Sequence, residues 1–281
     1  MPLEPLVPID TRPLFRPVSG SLVTLLRGLP LERWDAPTIA GKWLVRDVVA
    51  HLLDSTLRRL SFHRDGMAPP PPPGPIASER DFVDFINGLN AQWVASAQRL
   101  SPRVLTDLYE RASRETADWF ESLPLTAPAL FPVSWAGEAA SEGWFDIGRE
   151  FTEVWHHQQQ IRMAVGAAPL ADPRYLGAVI EIAVRVLPHT FRDVPAERGD
   201  TVGIEIRGAS GGQWTLLRDE CHWGLQRGQP TSATARVRLS DDTAWRLLFN
   251  ALPEREAATA VEVEGRPELT RAVFRARSVI V

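Results

Sequence analysis

The chain has 281 residues, 44% of them hydrophobic and 23% charged, the balance of a soluble globular protein with material for a sizeable core. A net charge of −4 leaves no basic surplus to neutralise phosphates, so nucleic acid is not an expected partner. No apolar run reaches the roughly 18–20 residues needed to cross a bilayer. Met1-Pro2-Leu3-Glu4-Pro5 lacks the charged and apolar regions of a secretory signal. The single Cys221 excludes an internal disulfide and a multi-thiolate zinc site. A cytoplasmic protein without a membrane partner is expected.

Taken in order, Leu14, Phe15, Val18, Leu22, Leu25 and Leu26 recur at three- and four-residue spacing and predict an amphipathic helix over 11–28. Gly28-Leu29-Pro30 ends it. Trp34, Pro37 and Gly41 mark an irregular connection. Helical period returns from Leu44 to about His63, apolar over a wide arc, as in the centre of a bundle. The prolines between Ala68 and Pro75 predict an extended, stiff surface loop. Helical patterns follow over 79–100 and 102–123, with Ser101 as N-cap and Pro102 at the first helical position. Thr126 to Gly143 reads as a long loop, and a helix is expected from about Gly143 to Gly166. A further helix is expected over 173–191.

Near residue 200 the period changes from helical to alternating. Residues 201–207 and 233–239 read as half-buried strands, with short strands at 213–217 and 222–226 between them. Ser240 caps a short helix, Val261-Glu262-Val263 reads as an inner strand, and 267–275 as a last helix. Two parts are expected, a helical one over 1–195 and an α+β one over 196–281.

Chemistry concentrates in Glu150 to Arg162, a stretch without Pro or Gly. Glu153 and His157 lie four apart, on one helix face, and present an oxygen and an imidazole nitrogen to the same space. That is half of a divalent metal site; it is equally a solvated polar face with an ion pair. His156 shares the face in part. A third ligand from elsewhere decides between the two. His51, amid Val48, Val49, Leu52 and Leu53, is a buried imidazole that needs a polar partner. Helical bundles often build metal sites from inward-facing side chains on neighbouring helices. His51, Glu153 and His157 then make a three-ligand set with positions left for water or substrate.

The run Trp34…Pro37…Trp43-Leu44-Val45-Arg46-Asp47-Val48-Val49-Ala50-His51-Leu52, with Glu153-Val154-Trp155-His156-His157 about a hundred residues on, resembles the DinB-like superfamily. Its similarity is to the mycothiol-dependent maleylpyruvate isomerase family. Trp214-Thr215-Leu216, Trp223-Gly224-Leu225 and Val237 to Leu247 resemble that family's C-terminal domain, itself similar to sterol carrier proteins. The resemblance implies a four-helix bundle, a small sterol-carrier-like α/β domain, and a metal triad on His51, Glu153 and His157. It implies zinc as the metal, with nickel as one acquired on purification, and mycothiol or another low-molecular-weight thiol as cofactor. Many relatives carry an acid where this chain has Gln160.

The reaction implied is a thiol-dependent transfer or isomerisation on a small electrophilic substrate, with no catalytic side chain beyond the ligands assigned. Metal-assisted hydrolysis, and a non-catalytic metal- or ligand-binding stress-response protein, are the alternatives. Cys221, beside Asp219 and Glu220, reads as structural. Gly208 to Gly212 reads as a hairpin. Of ten tryptophans, Trp43, Trp144 and Trp155 lie near the proposed site in sequence, and one or two could line a pocket.

Overall fold

The computed structural model describes residues 3–280. Met1 and Pro2, which open the N-terminal stretch read above, and Val281 lie outside the described residues. The chain forms two compact units. One comprises Thr11–Leu130 with Glu153–Pro169; the other comprises the segment ending at Asp10, Phe131–Thr152 and Leu170 onward.

The first unit is helical. The three-four spacing near the N-terminus becomes α1 (Phe15–Arg27), which buries Phe15, Val18, Leu22 and Leu26. The 3-10 turn Leu31–Asp35 then buries Trp34. Next comes α2 (Val45–Arg58), buried over most of its length as its wide apolar arc requires. It runs on into a π-helical turn, Arg59–Arg64. The proline loop is exposed, and residues 68–76 make no hydrogen bond among the described residues.

At the start of α3 (Glu79–Ala97), Ser78 and Asp81 cap one another reciprocally. Ser101 Oγ accepts from Val104 N at 3.4 Å at the start of α4 (Pro102–Ser122). α5 (Gly143–Val165) ends at Gly166, whose φ of 68° is the left-handed cap the sequence places there. Leu22, Leu26, Val48, Val49, Leu52, Tyr109 and Ile161 share one apolar core, binding α1, α2, α4 and the C-terminal part of α5.

Gln158 and Tyr109, two polar groups inside this core, are paired. Gln158 of α5 is fully buried. With its amide turned to satisfy both ends, it donates to Val18 O at 3.1 Å and accepts from Leu22 N at 3.0 Å. It thereby pins α5 to α1. Tyr109 donates to Ser19 Oγ at 3.4 Å, and burial pushes its phenol up to about 12.

The second unit holds a six-stranded mixed sheet. Its strands are β1 (Glu4–Pro5), β2 (Thr201–Arg207), β3 (Gly212–Arg218), β4 (Trp223–Arg227), β5 (Ala235–Ser240) and β6 (Glu262–Gly265). The spatial order is β1-β4-β3-β2-β5-β6, with β2 and β5 parallel and the other pairs antiparallel. The β2–β3 connection is the expected hairpin. Asp241 seals it by accepting from Ser210 N at 3.1 Å, and its carboxylate occupies the space a Cβ on Gly208 would need.

The helices of this unit are α6 (Pro173–Ala183), α7 (Leu187–Phe191), α8 (Asp241–Leu248), α9 (Glu254–Ala260) and α10 (Pro267–Val273). Val179, Ile180, Ile182, Leu247, Leu248, Leu269 and Val273 are buried here, beside Val202, Ile204, Leu216 and Val237 of the sheet.

Three expectations are corrected. The helix expected over 173–191 is interrupted by a 3-10 turn at Val184–Val186, just before Pro188. The strand at 261–263 starts one residue later and is an exposed edge, not an inner strand; Glu262 and Glu264 meet Arg207 and Arg238 there. α9 and the two-residue β1 were not expected at all.

The units also divide differently from 1–195 and 196–281. α6 packs on α8, and α7 on β4, so residues 170–195 belong with the sheet. Helical period identifies an apolar face but not the partner that receives it.

Candidate metal centre

His51 sits two turns into α2, and the start of that helix is built to hold it. Leu44 offers no side-chain oxygen as N-cap. Asp47 instead reaches back to accept from Leu44 N at 3.0 Å, while Gln98 Nε2 donates to its other oxygen at 2.7 Å. Trp93 of α3 donates to the carbonyl of Ala50, the residue before His51, at 2.8 Å. One turn beyond His51, Asp54 pairs with Arg58 at 3.1 Å, and Arg58 donates to Asn90 at 3.3 Å. Burial pushes the Asp54 carboxyl up, against the pull of Arg58.

The segment before α2 supplies an aromatic cover. Thr38 Oγ1 donates to Trp43 O at 2.7 Å and accepts from Ala40 N at 3.1 Å. Gly41 takes a φ of 63° in the turn, and Pro37 bridges Leu44. Trp43 is thereby held with its ring 4.9 Å from that of His51 and 6.3 Å from that of His157.

α5 brings the other two groups. Glu153 Oε2 lies 3.4 Å from His157 Nε2 and 4.0 Å from His51 Nε2. The His51 and His157 rings stand nearly perpendicular, 4.8 Å apart. Among the described residues, one ligand atom from each of the three lies within 4.8 Å of the others, an arrangement that could hold a metal ion.

Bonds of about 2.05 Å to a tetrahedral zinc put neighbouring ligand atoms about 3.3 Å apart. The 3.4 Å separation meets that spacing, and the 4.0 Å one needs a small inward movement. The His51 and His157 side chains are each 9% exposed and Glu153 is 20% exposed, so the cluster is shielded but open on the carboxylate side.

The electrostatics fit a cation. Burial, helped by the charges of His157 and Arg58, lowers His51 to about 4 against the hydrogen bond and charge of Glu153, so its imidazole is neutral at pH 7. Burial would raise Glu153. The charge of His156, the hydrogen bonds of His157 and His51, and the charge of His157 outweigh it and hold the carboxyl well below its usual range.

His51 Nδ1 is buried without a partner, and its Nε2 lies 4.0 Å from the Glu153 carboxylate. A buried imidazole nitrogen without a hydrogen bond asks for another partner. One carboxylate and two imidazole lone pairs are also the donor chemistry that divalent zinc and its neighbours accept. The residues present fit a metal.

His157 Nδ1 lies 2.7 Å from Gln160 Oε1, one turn on along α5, in a buried contact. The His156 ring packs 4.0 Å from that of His157 and is buried, and the cluster does not include it. The other histidines stand elsewhere: His63 against Arg59 and Trp119, His189 against Gly137, and His222 in an exposed pair with Asp219.

Cys221, expected to be structural, is exposed in the β3–β4 turn. Of the three tryptophans singled out, Trp43 covers the cluster and Trp155 is fully buried; Trp144 stacks on Phe145 and under Arg185 in the other unit. Sequence reading missed the service of Asp47, Gln98 and Trp93. For Gln160 a signal existed, its three-residue spacing from His157 on a helix.

A helical unit with a two-histidine, one-carboxylate cluster, joined to a unit with a mixed sheet, defines a two-part protein with a candidate metal centre. Residues 15–162 match the family described as the mycothiol maleylpyruvate isomerase N-terminal domain. That match spans more than half of the chain, and the chain belongs to this family.

Among solved structures the chain is similar to the mycothiol-dependent maleylpyruvate isomerase, with a TM-score of 0.55 and 13% identity over 92% of this chain and 93% of that one. It is likewise similar to a histidine-to-alanine mutant of mycothiol-dependent maleylpyruvate isomerase, with a TM-score of 0.54 and 12% identity over the same shares. At these identities the likeness is one of fold. No curated protein matches the chain. No helix among the described residues is long and apolar enough to cross a membrane.

Proposed function

We propose that this protein is a metal-dependent enzyme that works with a low-molecular-weight thiol, mycothiol or a relative of it, as a transferase or isomerase of a small electrophilic substrate. The observation that carries this reading is the convergence of His51, Glu153 and His157 from two helices of a bundle belonging to this family. These three residues would hold a divalent metal, zinc first among the candidates and nickel second. When bound, the metal would supply Lewis acidity that favours the thiolate form of a thiol at neutral pH.

The chain's own residues prepare the site for that role. Burial keeps the His51 imidazole neutral, with a lone pair to give. Glu153 stays ionised and provides the negative charge that draws a cation in. Trp43 lies against the rings of His51 and His157 and keeps water from that side. Three protein donors leave room for a group brought by cofactor or substrate, as in catalytic rather than structural metal sites. A cytoplasmic location accords with a thiol cofactor kept reduced.

Metal analysis of the purified protein, followed by cobalt substitution and titration with thiols, tests the reading. About one equivalent of metal per chain is expected. A sulfur-to-cobalt charge-transfer band should saturate with one of mycothiol, bacillithiol, glutathione or cysteine, and it should survive Cys221→Ser. If none of these thiols perturbs the cobalt spectrum, thiol transfer is wrong, and metal-assisted hydrolysis or ligand binding replaces it.

A further inference from the structure

We infer that Gln160 is a positioning residue: it fixes His157 as the Nδ1–H tautomer, and by being neutral it favours an anionic fourth ligand at the centre. The inference rests on the reading of His51, Glu153 and His157 as metal ligands and deepens it.

The geometry is local and closed. Gln160 Oε1 lies 2.7 Å from His157 Nδ1, both side chains are buried, and both stand on α5 one turn apart. An amide oxygen can only accept, so His157 Nδ1 must carry the proton. A neutral imidazole protonated at Nδ1 has its lone pair at Nε2, the nitrogen that faces Glu153 Oε2 at 3.4 Å. Ligating histidines are commonly fixed in this way by a carboxylate, a carbonyl or water on their second nitrogen. Here the partner is a side-chain amide.

The choice of an amide has an electrostatic consequence. A carboxylate at this position would add a second negative charge beside that of Glu153. Gln160 adds none, so two imidazoles and one carboxylate carry one formal negative charge in total. A divalent cation held by them keeps a net positive charge in a shielded site, where charges are weakly screened. That surplus favours an anionic partner, such as a thiolate, over a neutral one. His51 has no such orienting group, since its Nδ1 is unpartnered. The alignment of His157 therefore depends on Gln160 alone among the described side chains that contact its Nδ1.

Three measurements test this on the whole chain. The first is the tautomer of His157, read from the 15N shifts of selectively labelled histidine in the metal-free protein. The wild type should show Nδ1–H, and Gln160→Met, of similar size but without the acceptor, should shift His157 toward Nε2–H. The second is zinc affinity by competition with a chromophoric chelator. Gln160→Met should weaken it by about tenfold to a hundredfold, whereas Gln160→Glu should keep the tautomer and bind zinc at least as tightly. The third is the thiol concentration that half-saturates the cobalt band, which Gln160→Glu should raise severalfold.

An Nε2–H tautomer in the wild type overturns the inference. So does a Gln160→Met protein unchanged in tautomer and zinc affinity, or a Gln160→Glu protein with unchanged thiol affinity. Should Gln160→Met fail to fold, the Gln160→Glu measurements still decide. A wild type that binds no zinc overturns the ligand reading itself. A wild type that binds zinc while the variants behave like it overturns only the role of Gln160.

Discussion

At the scale of single residues, the site turns on which histidine nitrogens are free to give a lone pair. His51→Ala, Glu153→Ala and His157→Ala should each lower zinc affinity by more than about a hundredfold, near 3 kcal/mol, when measured against a chelator. His156→Ala should cost far less, because His156 packs on His157 without joining the cluster. Near-stoichiometric zinc in the His157→Ala protein would contradict the assignment.

The metal-free protein should also lose stability in acid. The His51 pKa is depressed to about 4 from an ordinary 6.5, so between these values the unfolded chain binds the extra proton. The stabilisation is complete above about pH 6.5 and is lost as the pH falls toward about 4, by at most roughly 3 kcal/mol. Glu153, also depressed, extends the loss to lower pH. Urea unfolding from pH 7 to 4.5 checks this, and His51→Ala should flatten the profile. A wild-type midpoint that stays level across that range would show that His51 is protonated as easily in the fold as out of it.

At the scale of elements, α2 and α5 do the positioning, and their ends matter more than their propensities. Asp47 both caps α2 through Leu44 N and accepts from Gln98. Asp47→Ala should cost about 1–3 kcal/mol in urea unfolding. It should weaken zinc binding as well, since His51 stands one turn further along. Asp47→Asn keeps the size and an acceptor and should recover part of both.

These elements also show where reading the sequence is sound and where it stops. Helix starts marked by Ser101 and Ser240 are set by local hydrogen bonds within three residues, and each bond is present. α9 was missed for the opposite reason: Glu254–Ala260 is short and has no side-chain N-cap hydrogen bond to announce it. The edge position of β6 was invisible because strand order is settled by pairing with β5, which is distant in sequence.

At the scale of the whole molecule, limited proteolysis should cut first between Gly66 and Ala77. That loop is exposed, and residues 68–76 make no hydrogen bond among the described residues. With thermolysin, Met67 and Ile76 offer apolar sites that flank the prolines, and both are exposed. Glu197–Asp200 is the other polar join, but it is tied down: Asp200 accepts from Glu197 N, Thr234 and Arg266. It should be cut later, and a first cut there or within α2 would contradict the arrangement.

The sequence by itself determined the period of each long helix, the change from helical to alternating pattern near residue 200, and the i,i+4 pairing of Glu153 with His157. All of these are local, fixed by residues within a turn or a strand of each other. From residue types alone it also brought His51 forward as a buried imidazole in want of a partner. The tertiary structure decided the rest. It brought His51 to 4.0 Å from Glu153 and set Trp43 against it. It also placed residues 170–195 with the sheet. These depend on which apolar face meets which, an outcome of packing across a hundred residues of chain, and hydrophobic period carries no address for its partner.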